Sequence, residues 1–399
     1  MIITILIFVL ILGILVFVHE LGHFLIAKRM GMAVHEFGFG FPPRLIGWRK
    51  KDLKLSKFSF KNWEIIAGPK LKTNLNNENV DNTIYSLNAL LFGGFVKIKG
   101  EQGDHQKDSN SFASKKPWQR FLTLSAGVGM NFFLGIILLS IGFAIGLPTV
   151  INDQTPKQAI IKEIHIQILQ VADNSPASEA KIKAGDIIRF VDNAEIVELL
   201  QFQDYIKEKL EVPITITYTR GQESNTVTIT PKDLNNTGEG LLGVWLAETG
   251  LISYPWYLAI WNGIKATFSI IWQIAAALYL IIKNLLTAQS IGSDIAGPIG
   301  IAVMTGQVAK LGFIYLLQFT ALLSINLAII NILPIPALDG GRILFLIIEK
   351  IKGKPINQRI ESTIHNIGFL LLIGLIILVT FKDISRFSEA IKGVIGKIF

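Results

Sequence analysis

Two histidines four residues apart, with a glutamate beside the first, are the residues whose types and spacing suggest chemistry: His19-Glu20-Leu21-Gly22-His23. On a helix, positions i and i+4 lie one above the other, so both imidazoles reach one metal ion. Glu20 is then placed to act as general base toward a water at that metal. The chain has no cysteine. Thiolate ligation is therefore excluded, and any zinc must be held by His, Asp or Glu. The motif closes an uncharged apolar run, Met1 to Val18. Ionisable groups at membrane depth are costly and mark functional sites. The bland alternative is a helix end at the interface with chance histidines.

The elements that must position these groups follow from composition. Of 399 residues, 50% are hydrophobic and 17% charged, which suits a membrane protein carrying one soluble insert. The net charge of +8 raises nucleic acid as a partner, but its distribution reads as membrane topology instead. Lys28 to Lys116 holds sixteen basic and eight acidic residues, whereas 149–250 holds nine basic and fifteen acidic. Positive loops stay in the cytoplasm, so the N-terminus is expected outside, the first loop inside and the acidic insert outside.

In chain order the expectation is a first transmembrane helix over 1–28, then a cytosolic loop over 29–117. An asparagine-rich insertion around 74–82 interrupts that loop. Its end, Gly93-Gly94-Phe95-Val96-Lys97-Ile98-Lys99, alternates apolar and basic residues as strands do. By itself this reads as an ordinary cytosolic hairpin. A second transmembrane helix covers 118–148 and contains Asn131, which reads equally as a helix–helix hydrogen bond or a site residue. The insert, 149–250, shows β-rich runs at 166–171, 187–191, 214–218 and 226–229. Between the first two lie Ser175-Pro176-Ala177 and Ala184-Gly185-Asp186. This is similar to a PDZ domain, with 203–210 as the helix lining a groove that takes an extended peptide as an added strand.

Residues 255–285 are long and apolar enough to span, yet carry a polar stripe, Asn262, Lys265, Ser269 and Gln273, and interfacial aromatics. A third apolar run begins at 312 and ends in Asn331-Ile332-Leu333-Pro334-Ile335-Pro336-Ala337-Leu338-Asp339-Gly340-Gly341. Its prolines and glycines cannot continue a plain helix. Broken backbone at membrane depth needs a cavity or protein around it, which makes Asp339 a second buried ionisable candidate. A last span is expected over 360–382. The remaining histidines, His35, His105, His165 and His365, lie outside any ligand spacing and read as surface or structural.

The HELGH motif in a first span, the later NxxPxPxLDGG and a PDZ domain between them resemble the site-2 proteases, intramembrane zinc metalloproteases, in their bacterial RseP type with a single PDZ domain. GGFVKIKGE at Gly93–Glu101 and AGPIGI at Ala296–Ile301 add to the resemblance, which covers nearly the whole chain. It implies Zn2+ held by His19, His23 and Asp339, with Glu20 as catalytic base. It implies substrate contacts at Asn131, Asn326 and Asn331. It also implies a membrane-associated β-hairpin in which Gly93, Gly94, Phe95, Val96 and Lys97 present the substrate as an extended strand. The sequence departs from the family pattern where Val128, rather than proline, follows Gly127, and in a longer insertion over 51–80.

The resemblance also constrains topology. His19 sits ~27 Å along its helix, toward the cytosolic side, and Asp339 must reach the same depth. An even number of crossings must then separate the insert from residue 312. The expected fold class is thus a polytopic α-helical membrane protein with about four transmembrane helices, a β-hairpin and one inserted extracytoplasmic PDZ domain. Residues 251–311 are assigned to an interfacial amphipathic region and 312–350 to the third transmembrane helix. The implied function is zinc-dependent hydrolysis of a peptide bond in or near the membrane segment of single-span proteins, such as anti-sigma factors or remnant signal peptides. The expected location is the bacterial cytoplasmic membrane. Partners are the lipid bilayer, those substrates and a peptide or trimmed C-terminus at the PDZ domain, with no nucleic acid. The rival readings are a non-catalytic membrane scaffold and a metal carrier.

Overall fold

The computed structural model describes residues 2–50, 63–68, 83–287 and 297–386, apart from positions 102, 152–157, 173, 197, 222, 235–237, 239 and 355. The asparagine-rich patch at 74–82, most of the 51–80 insertion and Ala296 lie outside the described residues. The chain forms two units. One holds Met1–Ile137, Lys265–Gly306 and Phe319–Phe399; the other holds Leu138–Ile264 and Gln307–Gln318.

In the first unit, α1 (Ile2–Arg29) is a single helix whose uncharged apolar run leads into His19-Glu20-Leu21-Gly22-His23. Ile11, Leu15, His19, His23 and Ala27 are all buried. They recur every fourth residue, so one stripe of the helix faces protein and carries both histidines inward. Strands β1 (Val34–Lys50), β2 (Trp63–Ala67) and β3 (Ile84–Ile98) form a sheet of order β2-β1-β3. β1 and β3 curl around each other. Phe37 is partnered by both Tyr85 and Val96, and Gly38 by both Ser86 and Phe95. The first part of β1 therefore lies between the two halves of β3. The last half of β3, from Gly93, has no second strand neighbour among the described residues. Arg44 clamps Glu36 with two hydrogen bonds, from Nε at 2.9 Å and Nη2 at 2.5 Å. Around the tip of the sheet, Phe41, Leu45, Leu90, Leu91 and Phe92 are exposed. Helix α2 (Pro117–Ile145) follows.

The second unit contains β4 (Leu147–Val150), β5 (Ile160–Val171), α3 (Pro176–Glu179), β6 (Ile187–Val191), β7 (Ala194–Glu195), α4 (Leu199–Glu208), β8 (Ile214–Arg220), β9 (Glu223–Ile229) and β10 (Val244–Ser253). The sheet order is β4-β10-β5-β6-β8-β9. The four β-rich runs read from the sequence fall in β5, β6, β8 and β9. Their alternating side chains, among them Ile166, Ile168, Ile188, Ile214 and Ile216, make one core with Phe202 and Ile206 of α4. Ser175 caps α3, its Oγ accepting from Ser178 N–H at 3.2 Å. Asp186 is fully buried and held by Arg220, Nε and Nη2 both at 2.7 Å, and by Lys183 N–H. Asp192 and Asn193 take left-handed φ values of 45° and 66° at the β6–β7 turn, the geometry tight hairpins require. The Thr215 N–H, and then the Tyr205 hydroxyl, hold the Asp192 carboxyl below its ordinary range. A groove of about 580 Å³ runs between α4 and the start of β10, lined by Phe202, Ile206, Leu242, Val244 and Leu246.

Helix α5 (Trp256–Leu286) is continuous. α6 (Pro298–Leu311) is capped by Asp383, which accepts from Gly297 N–H at 3.1 Å and Gly300 N–H at 2.7 Å. α7 (Phe313–Ile332) ends in the proline loop, and α8 (Asp339–Lys352) and α9 (Gln358–Arg386) are the last of the described elements. Five of the described helices are long and apolar enough to cross a membrane: Ile3–Arg29, Pro117–Ile145, Trp256–Leu286, Phe313–Ile332 and Gln358–Ser385.

Candidate metal centre

α1 and the start of α8 meet in the first unit and bring together three side chains from positions 320 residues apart. His19 Nε2 lies 2.9 Å from Asp339 Oδ2. His23 Nε2 lies 3.2 Å from the same oxygen and 3.2 Å from His19 Nε2. A tetrahedral zinc with bonds of ~2.0–2.1 Å needs ligand atoms roughly 3.3 Å apart. The three donors already stand near that spacing, so the residues fit such an ion.

What surrounds the cluster favours the metal-binding tautomers. His23 Nδ1 donates to Thr123 O at 2.7 Å, which leaves Nε2 bare toward the cluster. Asn131 is fully buried, with its amide 3.4 Å from His19 Nδ1. Its Oδ1 has no partner when the nitrogen faces the ring. With the two ends of the amide exchanged, Oδ1 accepts from Nδ1–H and His19 Nε2 is left unprotonated, the unpartnered position passing to Nδ2. α2 must pass close for this. A Cβ at Gly127 would stand on His23 Nε2 and within 2.7 Å of His19 Nε2, and one at Gly22 would strike the carbonyl of Ala126. Both helices carry glycine where their surfaces touch, and the space beside the imidazoles stays open.

Glu20 is half-buried on the same helix. Its Oε2 accepts a hydrogen bond from Val96 N–H at 3.2 Å. The edge of β3 runs along α1 here: Gly93 sits against Val16, and Gly94 against Phe17. The site thus joins Glu20, a cluster able to hold a metal, and a strand edge. Asn326 and Asn331 lie half-buried on α7, and among the described residues neither is hydrogen-bonded to the cluster.

Sequence reasoning passed over Thr123 and Gly127 as site residues. A signal was present: Thr123, Gly127, Asn131 and Gly135 recur every fourth residue along α2, the mark of one helix face. It also passed over Arg342, which pairs with Glu101. Both line a polar cavity of about 510 Å³ with Arg120, Glu349 and Glu361. That pairing joins a loop after β3 to α8 and leaves no trace in local spacing.

The sequence matches the profile described as Peptidase family M50 over residues 7–60 and 53–375. The chain belongs to peptidase family M50. The family is that of the site-2 proteases, and this M50 chain is a zinc-dependent intramembrane metalloprotease and a multi-pass membrane protein. It is 31% identical to the Regulator of sigma-W protease RasP of Bacillus subtilis, covering 96% of this chain and 98% of that one. It is 31% identical to the Zinc metalloprotease RasP of Bacillus licheniformis, covering 96% and 99%. Among solved structures, the PDZ domain of an SdrC-like protein from Listeria monocytogenes is 24% identical, with a TM-score of 0.21, over 22% of this chain and 92% of that one.

Proposed function

We propose that His19, His23 and Asp339 hold the zinc of this M50 protease and that Glu20 is its general base. The observation that carries this is the convergence of the three donor atoms within 2.9–3.2 Å, two of them on the helix that also bears Glu20 and the third at the start of α8. Bound there, zinc supplies Lewis-acid chemistry, activating water and polarising the scissile carbonyl. Glu20 does the proton work. Val96 N–H holds Oε2, so Oε1 takes the proton from water and returns it to the leaving amine. Thr123 O and the Asn131 amide keep the imidazoles oriented. The Gly93–Lys97 edge of β3, where Glu20 holds the Val96 N–H and no second strand lies among the described residues, is assigned to pair with a substrate segment. A transmembrane helix must unwind before hydrolysis, and its freed amides need partners in a medium without water. Asn326 and Asn331 are assigned to the opposite wall of the substrate site.

The substrates are taken to be single-span membrane proteins, including membrane-anchored regulators and remnant signal peptides. The topology is four spans, with the N-terminus and the 149–250 insert outside the cytoplasmic membrane. One feature supporting this count is α6. Gly306 packs against Thr4 near the start of α1, and Asp383 near the end of α9 caps the helix. If α1 runs inward and α9 outward, those two ends lie on the outer side and α6 lies there with them. α5 then makes no net crossing. Trp256, Trp261, Trp272 and Tyr279 of α5 are exposed, as suits an interfacial helix. The exposed tip of the β1–β3 sheet is assigned to the inner leaflet. The insert is read as a PDZ domain whose groove takes a trimmed substrate's C-terminus.

Glu20→Gln tests the reading. Zinc stoichiometry should remain that of the wild type, while cleavage of a reconstituted single-span substrate falls by at least ~100-fold. A variant that still cut, or a wild type that moved metal across vesicles without cutting, would reject it.

A further inference from the structure

The loop from α7 to Asp339 satisfies its own backbone donors at every position but one. Pro334 and Pro336 have no N–H. Leu333 N–H donates to Ile330 O at 3.2 Å, Ile335 N–H to Leu333 O at 2.7 Å and Leu338 N–H to Ile335 O at 3.2 Å. Ala337 N–H instead donates to Nδ1 of His365 on α9, at 2.9 Å. Ala337 has a left-handed φ of 80°, which a residue with a Cβ keeps only where its surroundings hold it. One turn along, α9 meets the loop again. A Cβ at Gly368 would strike the ring of Pro336 and lie 2.8 Å from its carbonyl oxygen. His365 and Gly368, three apart, share a helix face.

We propose that His365 is a positioning residue for the metal centre. It holds Ala337 in its strained conformation and so sets the Asp339 carboxylate, two residues on, against His19 and His23. The contacts define its tautomer. Nδ1 accepts from the amide, so Nε2 carries the proton. Nε2 is buried, without a partner among the described residues, in the residue that lines the polar cavity beside Arg342 and Glu361. Phe345 packs on the ring, centroids 5.5 Å apart. Without the acceptor, the half-buried Ala337 amide loses its partner and the loop has reason to relax out of φ 80°.

This inference rests on Asp339 as third ligand. The experiment follows the rate at which the zinc-loaded, full-length protein in detergent loses metal to a chelator. His365→Leu keeps bulk without an acceptor. His365→Asn places Oδ1 where Nδ1 stood, whereas His365→Gln reaches the position of Nε2. Leu and Gln should lose zinc about 10–100-fold faster than wild type, the size of effect typical of groups that orient ligands. Asn should stay within a few-fold of wild type. Should Leu fail to fold, the Asn and Gln chains, both polar and similar in size, decide the matter. Equal zinc loss from Asn and Gln, or wild-type retention in Leu, overturns the role of His365. Asp339→Asn, run alongside, tests the premise separately: wild-type retention there removes Asp339 from the ligand set whatever the His365 variants do.

Discussion

Glu20 and Val96 are joined across 76 positions by one hydrogen bond, from the Val96 backbone N–H to the Glu20 Oε2 at 3.2 Å. That amide points out of the β1–β3 ladder, toward α1. A bond to a charged acceptor is worth about 1.5–3 kcal/mol. Val96→Pro removes the donor without breaking a strand–strand bond, as proline permits on an edge. Cleavage should fall about 10- to 100-fold with zinc content unchanged, while Val96→Ala stays close to wild type. Single-turnover cleavage with parallel zinc analysis measures both.

Gly127 and Gly129 offer a matched pair on α2. A Cβ at 127 meets both imidazoles, whereas one at 129 meets nothing within 4 Å. Gly127→Ala should abolish zinc binding. Gly129→Ala should keep the metal and raise stability by up to about 1 kcal/mol, from helix propensity alone. Metal content and thermal melting in detergent separate the two.

Removing the Asn131 amide leaves His19 Nδ1 without an orienting partner. Asn131→Leu should weaken zinc affinity about 10–100-fold, read by competition with a chelator of known affinity. An unchanged affinity would mean that the Asn131 side chain does not orient His19; its backbone carbonyl, which accepts from Ser324 Oγ, is the same in both chains.

Asp383 is buried and accepts two backbone N–H groups at the start of α6. Asp383→Ala leaves those donors unsatisfied, at a cost of about 1–3 kcal/mol. The melting temperature should drop while the zinc stoichiometry stays the same.

The insert should respond to acid through Asp192, whose carboxyl is held below its ordinary range by Thr215 N–H and then by the Tyr205 hydroxyl. A carboxylate lowered on folding stabilises fully above its unfolded pKa, and that stabilisation is lost as pH falls through the folded value. Asp192→Asn should therefore reduce stability at neutral pH and flatten the acid limb of the unfolding curve. Fluorescence of Trp245, on β10, follows the transition.

Much of the scaffold was legible because its signals are local. The every-fourth spacing of His19 and His23 predicted a shared helix face, and α1 buries that face from Ile11 to Ala27. The four β-rich runs of the insert predicted strands, and they fall in β5, β6, β8 and β9. Other features were not legible because they depend on approach between distant elements. Nothing near Gly127 says that an imidazole lies against it. His365 read as structural by default, since its partner is the backbone of a loop 28 residues away. Glu101 and Arg342 are 241 residues apart and meet only because α8 lies near the end of β3.

By itself the sequence determined the chemistry on offer: two imidazoles and a carboxylate on one helix, no thiol, and an aspartate behind a broken apolar run. Those follow from residue type and helical period, which need no knowledge of packing. The tertiary structure decided which atoms meet. It set the 2.9 Å between His19 and Asp339, the Thr123 and Asn131 contacts that orient the imidazoles, and the strand edge that touches Glu20. Those distances arise from close approach of α1, α2, β3 and α8, and packing between elements far apart in sequence is not encoded in the period of any one of them.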